Sequence, residues 1–269
     1  IAEWSAQASD LLRVGRTGFD FGVWMIQGLP ALGLAAAKSV SPGMAVEATE
    51  TTAGVTNRAV GRQMLRAWGK SVPVAFKAFT DENYMLKILM QDTDLLTEAA
   101  GYGLQFSRSA TDVFQAIQRG TILRKGGTAG KRIDELITKA AKPFERAFVA
   151  PGDFIRLQYY KALRPSAALK GEDGLRELAA VLNNMTGALS SSALGITPSL
   201  QRIERGFLFY SPRYTRASMA LLADVFKGNV QGRIARESLI GLLGLGVSSY
   251  IVTVQAMRAA GSKQELHLD

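Results

Sequence analysis

The chain contains no cysteine and a single histidine in 269 residues. Without cysteine there is no disulfide framework, no thiolate zinc site and no cysteine nucleophile. The histidine, His267, stands third from the last residue, and one imidazole cannot build a histidine-based triad or a multi-histidine metal site within one chain. Charge is sparse as well. Charged residues make up 20% and apolar residues 47% of the chain, which excludes both a disordered polypeptide and an ordinary multipass membrane protein. Residues 1–10 show no basic stretch followed by an apolar one, so they do not form a signal peptide. The first residue is Ile1 rather than methionine, and the expectation is a processed product or, preferably, part of a longer chain.

What charge there is leans positive. A net charge of +9 favours partners with negative surfaces, such as nucleic acid, anionic lipid or acidic protein. Between residues 202 and 236 the basic residues Arg202, Arg205, Arg213, Arg216, Lys227, Arg233 and Arg236 face only Glu204 and Asp224. A solvated helical surface accounts for them, and a phosphate-facing or subunit-facing surface is the sharper alternative.

Apolar residues recur at helical spacing, interrupted by Gly and Pro, with little strand-like alternation. The pattern predicts an all-α fold, an irregular multi-helix bundle with Gly/Pro-broken helices. A helix is expected from Trp4 to Val14, and an uncharged one from Phe21 to Ala37 that Pro30 kinks or divides. Ser41-Pro42 reads as a helix start. Further helices are expected over 81–91, 97–118, 132–163 with a break at Pro151-Gly152, 175–182 and 199–209. The basic, glycine-rich stretch 125–131 reads as a linker between an N-terminal helical segment, 1–124, and a C-terminal one, 132–269, although both could share one continuous domain. Asn183-Asn184-Met185-Thr186-Gly187 reads as a helix end closed by Gly187. Ser211-Pro212 reads as the cap and first position of a helix reaching about Lys227.

The last helix differs from the others. From Ser238 to Met257 it carries no charge, and at about 1.5 Å per residue twenty residues span roughly 30 Å, the depth of a hydrocarbon core. Gly241, Gly244, Gly246, Ser248 and Ser249 give it small-residue faces suited to close helix contact in a membrane. A buried central helix of a soluble bundle is the plainer expectation.

Catalytic signals are weak. Residues 126–131 fall one residue short of a phosphate-binding loop, and Arg132 replaces its hydroxyl. Glu237 before an apolar helix only faintly resembles a transglycosylase glutamate. The pairs Asp81 and Glu82, Asp92 and Asp94, and Glu172 and Asp173 fall at expected helix starts, where negative charge suits the dipole. No serine–lysine pair has the spacing of penicillin-binding enzymes. Phe144, Phe148, Phe154, Tyr159 and Tyr160 beside Arg146 and Arg156 suit a core better than a base-stacking platform. Neither enzymatic activity nor a cofactor is expected.

Three blocks in order carry a resemblance: Glu145-Arg146-Ala147-Phe148-Val149 leading into Phe154-Ile155-Arg156, then Asn184, Thr186 and Gly187, then Phe209-Tyr210-Ser211-Pro212-Arg213 with Arg216 and Ser218. Together they resemble a domain of the large polyvalent proteins of bacteriophages and mobile elements. The resemblance spans about residues 10–255, its distinctive motifs only 145–218. It implies a long parent polypeptide carried in the virion and delivered into the host with the genome. It supplies no catalytic residue. The expectation is therefore a structural internal or ejection protein, assembling as a helical oligomer near the portal or in an envelope-spanning channel. Its partners would be other copies of itself, other virion proteins of portal, tail or ejection type, phage DNA, and the host membrane after ejection. Two other readings are a scaffolding or DNA-binding module of an intracellular polyvalent phage enzyme and a membrane-inserting helical protein.

Overall fold

The computed structural model describes residues 21–42, 44–46, 55–106, 127–188 and 212–261. Helix α1 spans Phe21–Val40. A short antiparallel pair follows, β1 (Met44–Val46) and β2 (Val55–Thr56), and then α2 (Asn57–Thr80), α3 (Tyr84–Met90), α4 (Thr93–Gly101), α5 (Gly127–Ala168), α6 (Gly171–Met185), α7 (Pro212–Asp224) and α8 (Val230–Ala259). The fold is all-α: 84% of the interpretable part is helical, and the two strands are too short to organise a layer. The expected helices over 4–14 and 199–209 lie outside the described residues, as do 107–118 of the one expected over 97–118.

Local chemistry explains most helix ends, and it corrects one expectation. Ser41-Pro42 ends a helix instead of starting one: the Ser41 N–H donates to Ala37 O at the close of α1, and Pro42 has no N–H to extend the ladder. The next helix waits until Asn57, where the Thr56 hydroxyl accepts from the Ala59 N–H at 3.2 Å. At the far end of α6, Gly187 takes φ +68° and the Ala188 N–H reaches Asn183 O at 2.9 Å. This is the left-handed closure expected of the Asn-Thr-Gly turn. Helix α7 opens at Pro212 as expected but stops at Asp224, short of Lys227.

Prolines interrupt less than their intrinsic cost suggests. Helix α1 continues through Pro30, and α5 runs 42 residues through Pro143, Pro151 and Pro165. The break expected at Pro151-Gly152 does not occur, and residues 127–131 of the expected linker open this helix. An internal proline costs a hydrogen bond and a clash, roughly 3 kcal/mol. Burial offsets that cost around Pro151, where Pro151, Ile155, Leu157, Tyr159 and Tyr160 are all fully buried; large apolar side chains contribute about 1.5–3 kcal/mol each when removed from water.

Helices α1, α2, α5, α6, α7 and α8 contribute to one core. Leu34, Met64, Ile155, Tyr159, Leu178, Leu182, Leu221 and Ile234 belong to a single cluster, so the chain on either side of 125–131 shares it. Helices α1 and α8 approach closely. A Cβ added at Gly33 would lie 2.4 Å from Ser238 O, and one at Gly241 would lie 1.9 Å from Gly33 O. At this crossing backbone meets backbone, and the Ser238 hydroxyl donates to Pro30 O.

Gly241→Val should therefore force the two helices apart, lowering the urea midpoint by the equivalent of about 3 kcal/mol or more. Gly246→Ala, where an added Cβ meets nothing within 4 Å, should leave stability equal or up to about 1 kcal/mol higher, because alanine suits a helix better. Equal destabilisation by both would refute the crossing.

Candidate functional site

The residues singled out by the sequence meet in a buried polar hub. Arg156 on α5, 3% exposed, donates to Asp153 one turn earlier and, at 2.9 Å, to Thr186 Oγ1. The Thr186 hydroxyl donates in turn to Leu182 O at 2.7 Å. Asn184 Nδ2 donates to Asp224 Oδ2 at 2.7 Å, tying α6 to the end of α7. Asn183 grips the chain after α4: its Nδ2 donates to Gly103 O and its Oδ1 accepts from the Gln105 N–H, both at 2.9 Å. Earlier on α5, Arg146 donates from Nε to Ala78 O at 3.1 Å and from Nη2 to Phe79 O at 3.4 Å. It covers the final carbonyls of α2, where a cation also suits the helix dipole. Arg146, Arg156, Asn184 and Thr186 thus tie distant segments together. Each carboxylate in this hub already meets a cation or an amide, so the arrangement orders helices. Among the described residues no group of three or more His, Cys, Asp or Glu could hold a metal ion.

The expected basic surface over 202–236 is dispersed. Arg202, Arg205 and Ser211 lie outside the described residues, and Pro212 and Arg213 are placed only as the start of the α7 backbone. Arg216 is half-buried on α7. Lys227 pairs with buried Asp224 at 2.8 Å. Arg236 donates to Val225 O at 2.6 Å and Lys227 O at 2.9 Å, closing the turn after α7. Only Arg233 stands exposed on α8 without a described partner. The same turn uses Glu177 of α6, which accepts from Asn229 Nδ2 at 2.8 Å and from the Val230 N–H at 3.0 Å. A carboxylate at the N-terminus of α8 is favourable for the dipole.

Beyond that anchored start, α8 leaves the core. Val230, Ile234, Ala235, Ser238 and Gly241 are buried, and so is Val254 further on, whereas Ile240 is 66%, Leu243 70% and Val252 66% exposed, and Val247, Tyr250 and Met257 are exposed too. The helix is long and apolar enough to cross a membrane, with 11% of its most apolar window buried. Among the described residues, then, α8 is buried at its start and exposed along most of its apolar stretch, unlike the buried central helix expected. An apolar helix left uncovered is a substantial liability in water.

Sequence reasoning passed over one further surface. On α2, Arg58, Arg62, Arg66 and Lys70 recur every fourth residue and all are exposed. The spacing of four is visible in the sequence, where it is diluted by the many small residues of the same stretch.

A second ionic group joins α4 to α5. Arg164 donates to Glu98 from Nε at 2.6 Å and Nη2 at 2.7 Å, and the Tyr160 hydroxyl donates to Glu98 Oε1 at 3.0 Å. The Arg164 hydrogen bonds hold the Glu98 carboxyl below its ordinary pKa, and burial followed by the bond to Glu98 raises the Tyr160 hydroxyl. No family model matches the chain, and neither a curated protein nor a solved structure matches it.

Arg156→Leu removes one partner of a buried ion pair and should destabilise the fold by about 3–5 kcal/mol in urea unfolding. A cost under about 1 kcal/mol would show that the hub does not hold the helices. For Glu98 the folded pKa is depressed, so its stabilisation is present above the unfolded value and disappears as pH falls through the folded one. Glu98→Gln should lower stability by about 0.5–1 kcal/mol at neutral pH. The gap should close below about pH 4. Thermal melts of both proteins across pH measure this.

Proposed function

We propose that this chain is a helical structural segment of a phage virion protein of the internal or ejection type, which associates with copies of itself and places α8 in a lipid bilayer. The uncovered apolar stretch of α8 is the observation that carries the reading. A helix apolar on every side belongs in a core or in hydrocarbon, and past Gly241 this one leaves most of its large apolar side chains exposed, Val254 excepted. The phage setting rests on the three motif blocks, and the absence of cysteine suits a chain that must unfold and refold on delivery. Local helices re-form within microseconds, whereas long-range sheets assemble slowly.

The same helix suggests how copies would meet. Ile240, Leu243, Val247 and Tyr250 alternate by three and four residues and are exposed, the spacing of a coiled-coil seam. Gly244 and Gly246 beside the seam permit the close approach that replaces hydrophobic driving force in lipid.

Flotation with liposomes tests the central part. The chain should rise with the lipid and protect 238–257 from protease. Leu243→Lys with Val247→Lys should abolish both effects, since a lysine at the helix centre costs about 3 kcal/mol. Equal cleavage with and without lipid would sink the membrane reading. Mass spectrometry of purified particles tests the setting, and absence of the chain from virions would redirect it to an intracellular scaffolding or DNA-binding module.

A further inference from the structure

The exposed face of α2 differs from every other charged surface described here. Residues 57–80 contain Arg58, Arg62, Arg66, Lys70 and Lys77 and no Asp or Glu. Arg58, Arg62, Arg66 and Lys70 lie at successive i, i+4 positions, all exposed, so they form one line on the helix with a cation about every 6 Å. Several exposed cations elsewhere meet acids: Lys87 with Asp81, Lys161 with Asp92, Arg164 with Glu98, and Arg176 with Glu172 and Asp173. None of the four on the α2 line forms an ion pair or a side-chain hydrogen bond within the described residues, and Lys77 lies over the Tyr84 ring.

Such a line is unfavourable in isolation. Each i, i+4 pair of like charges destabilises a helix by about 0.2–0.5 kcal/mol, and the buried face of α2, with Val60, Met64, Ala67 and Val74, holds it in place regardless. We infer that this face binds the phosphodiester backbone of nucleic acid. A duplex presents about one negative charge per 1.7 Å of axis, and neutralising its phosphates releases condensed counterions. Three of the four cations are arginines, whose planar forks bind phosphate through two donors. The exposed residues between them, Ala59, Gln63 and Gly69, offer no large apolar side chain to anchor in lipid. Most of the apolar face of α2 is buried in the core, although Val72 and Phe76 are exposed beyond the four cations, so this face is not the fully apolar one of an interfacial helix. These features favour a phosphate polymer over an anionic lipid surface, and recognition would be independent of base sequence.

Fluorescence anisotropy with the full chain and a labelled mixed-sequence duplex of about 25 base pairs, between about 50 and 200 mM salt, tests the assignment. With four phosphates engaged, log K should fall against log salt with a slope of about −3.6. Arg62→Gln with Arg66→Gln should bring the slope to about −1.8 and weaken binding at least about tenfold at low salt. Arg58→Gln with Lys70→Gln should do the same, which guards against a folding defect in the first variant. Arg176→Gln, an exposed change elsewhere, should leave binding as it was. Unaltered binding by both double variants, or no duplex binding by the parent chain, overturns the inference. Capture by phosphatidylserine vesicles that depends on these residues, without duplex binding, reassigns the stripe to lipid and also overturns it. Because α8 is intact in every variant, liposome flotation reads the membrane proposal separately.

Discussion

The guanidinium of Arg156 is the group on which the rest of the helical arrangement depends. It is buried on α5 and held between Asp153 on its own helix and Thr186 at the end of α6. A buried charge is tolerated where its counter-charge is fixed beside it and hydrogen bonds hold the pair in place. That demand sets where α6 can end, because Thr186 must present its hydroxyl to Arg156 while returning its proton to Leu182 O. Once α6 is placed, Asn183 and Asn184 reach in different directions, one to the chain after α4 and the other to the last residue of α7. Apolar burial supplies most of the driving force for folding, but it is non-directional. The polar contacts specify which helix ends meet.

The two halves of α8 show the same division of labour. Its first three turns are fixed by directional contacts: Glu177 at its start, Asn229 as its cap, and the Lys38–Glu237 ion pair at 2.8 Å. Past Gly241 most of its large apolar side chains are exposed among the described residues, with Val254 again buried. The described residues therefore combine an ordered bundle with a helix whose apolar stretch is largely exposed. The basic line on α2 is likewise unsatisfied within the described chain. A structural role in which the chain touches both lipid and a polyanion would account for each surface with the chemistry it lacks.

Much of the fold was legible in the sequence where a local rule had no competitor. Gly187 closes α6 because only a left-handed residue permits that turn cheaply, and Pro212 opens α7 because its missing N–H is surplus there. The failures occur where tertiary burial outweighs local cost. Pro151 signalled a break, yet the fully buried aromatics after it hold α5 together. Ser41-Pro42 has the composition of a helix start, but its backbone is already committed to closing α1. Charge density along the chain also misled. Lys227 and Arg236 look like surface cations in sequence, and in the fold they serve Asp224 and the carbonyls after α7. The α2 line was recoverable from its period of four and its lack of acids, both visible without coordinates. Burial of α8 could not be read so easily, since an apolar helix looks alike whether a core or a bilayer surrounds it.

The Gly33–Gly241 crossing constrains the ways in which related sequences could diverge. Where helices meet through large side chains, a loss on one partner can be compensated by growth on the other. Here the contact is main chain against main chain, and neither position has a side chain to exchange. The two sites should consequently drift least, and independently of one another's neighbours, while residues a turn away vary freely in size. A distant relative would be recognised less by overall similarity than by two small residues held some two hundred positions apart.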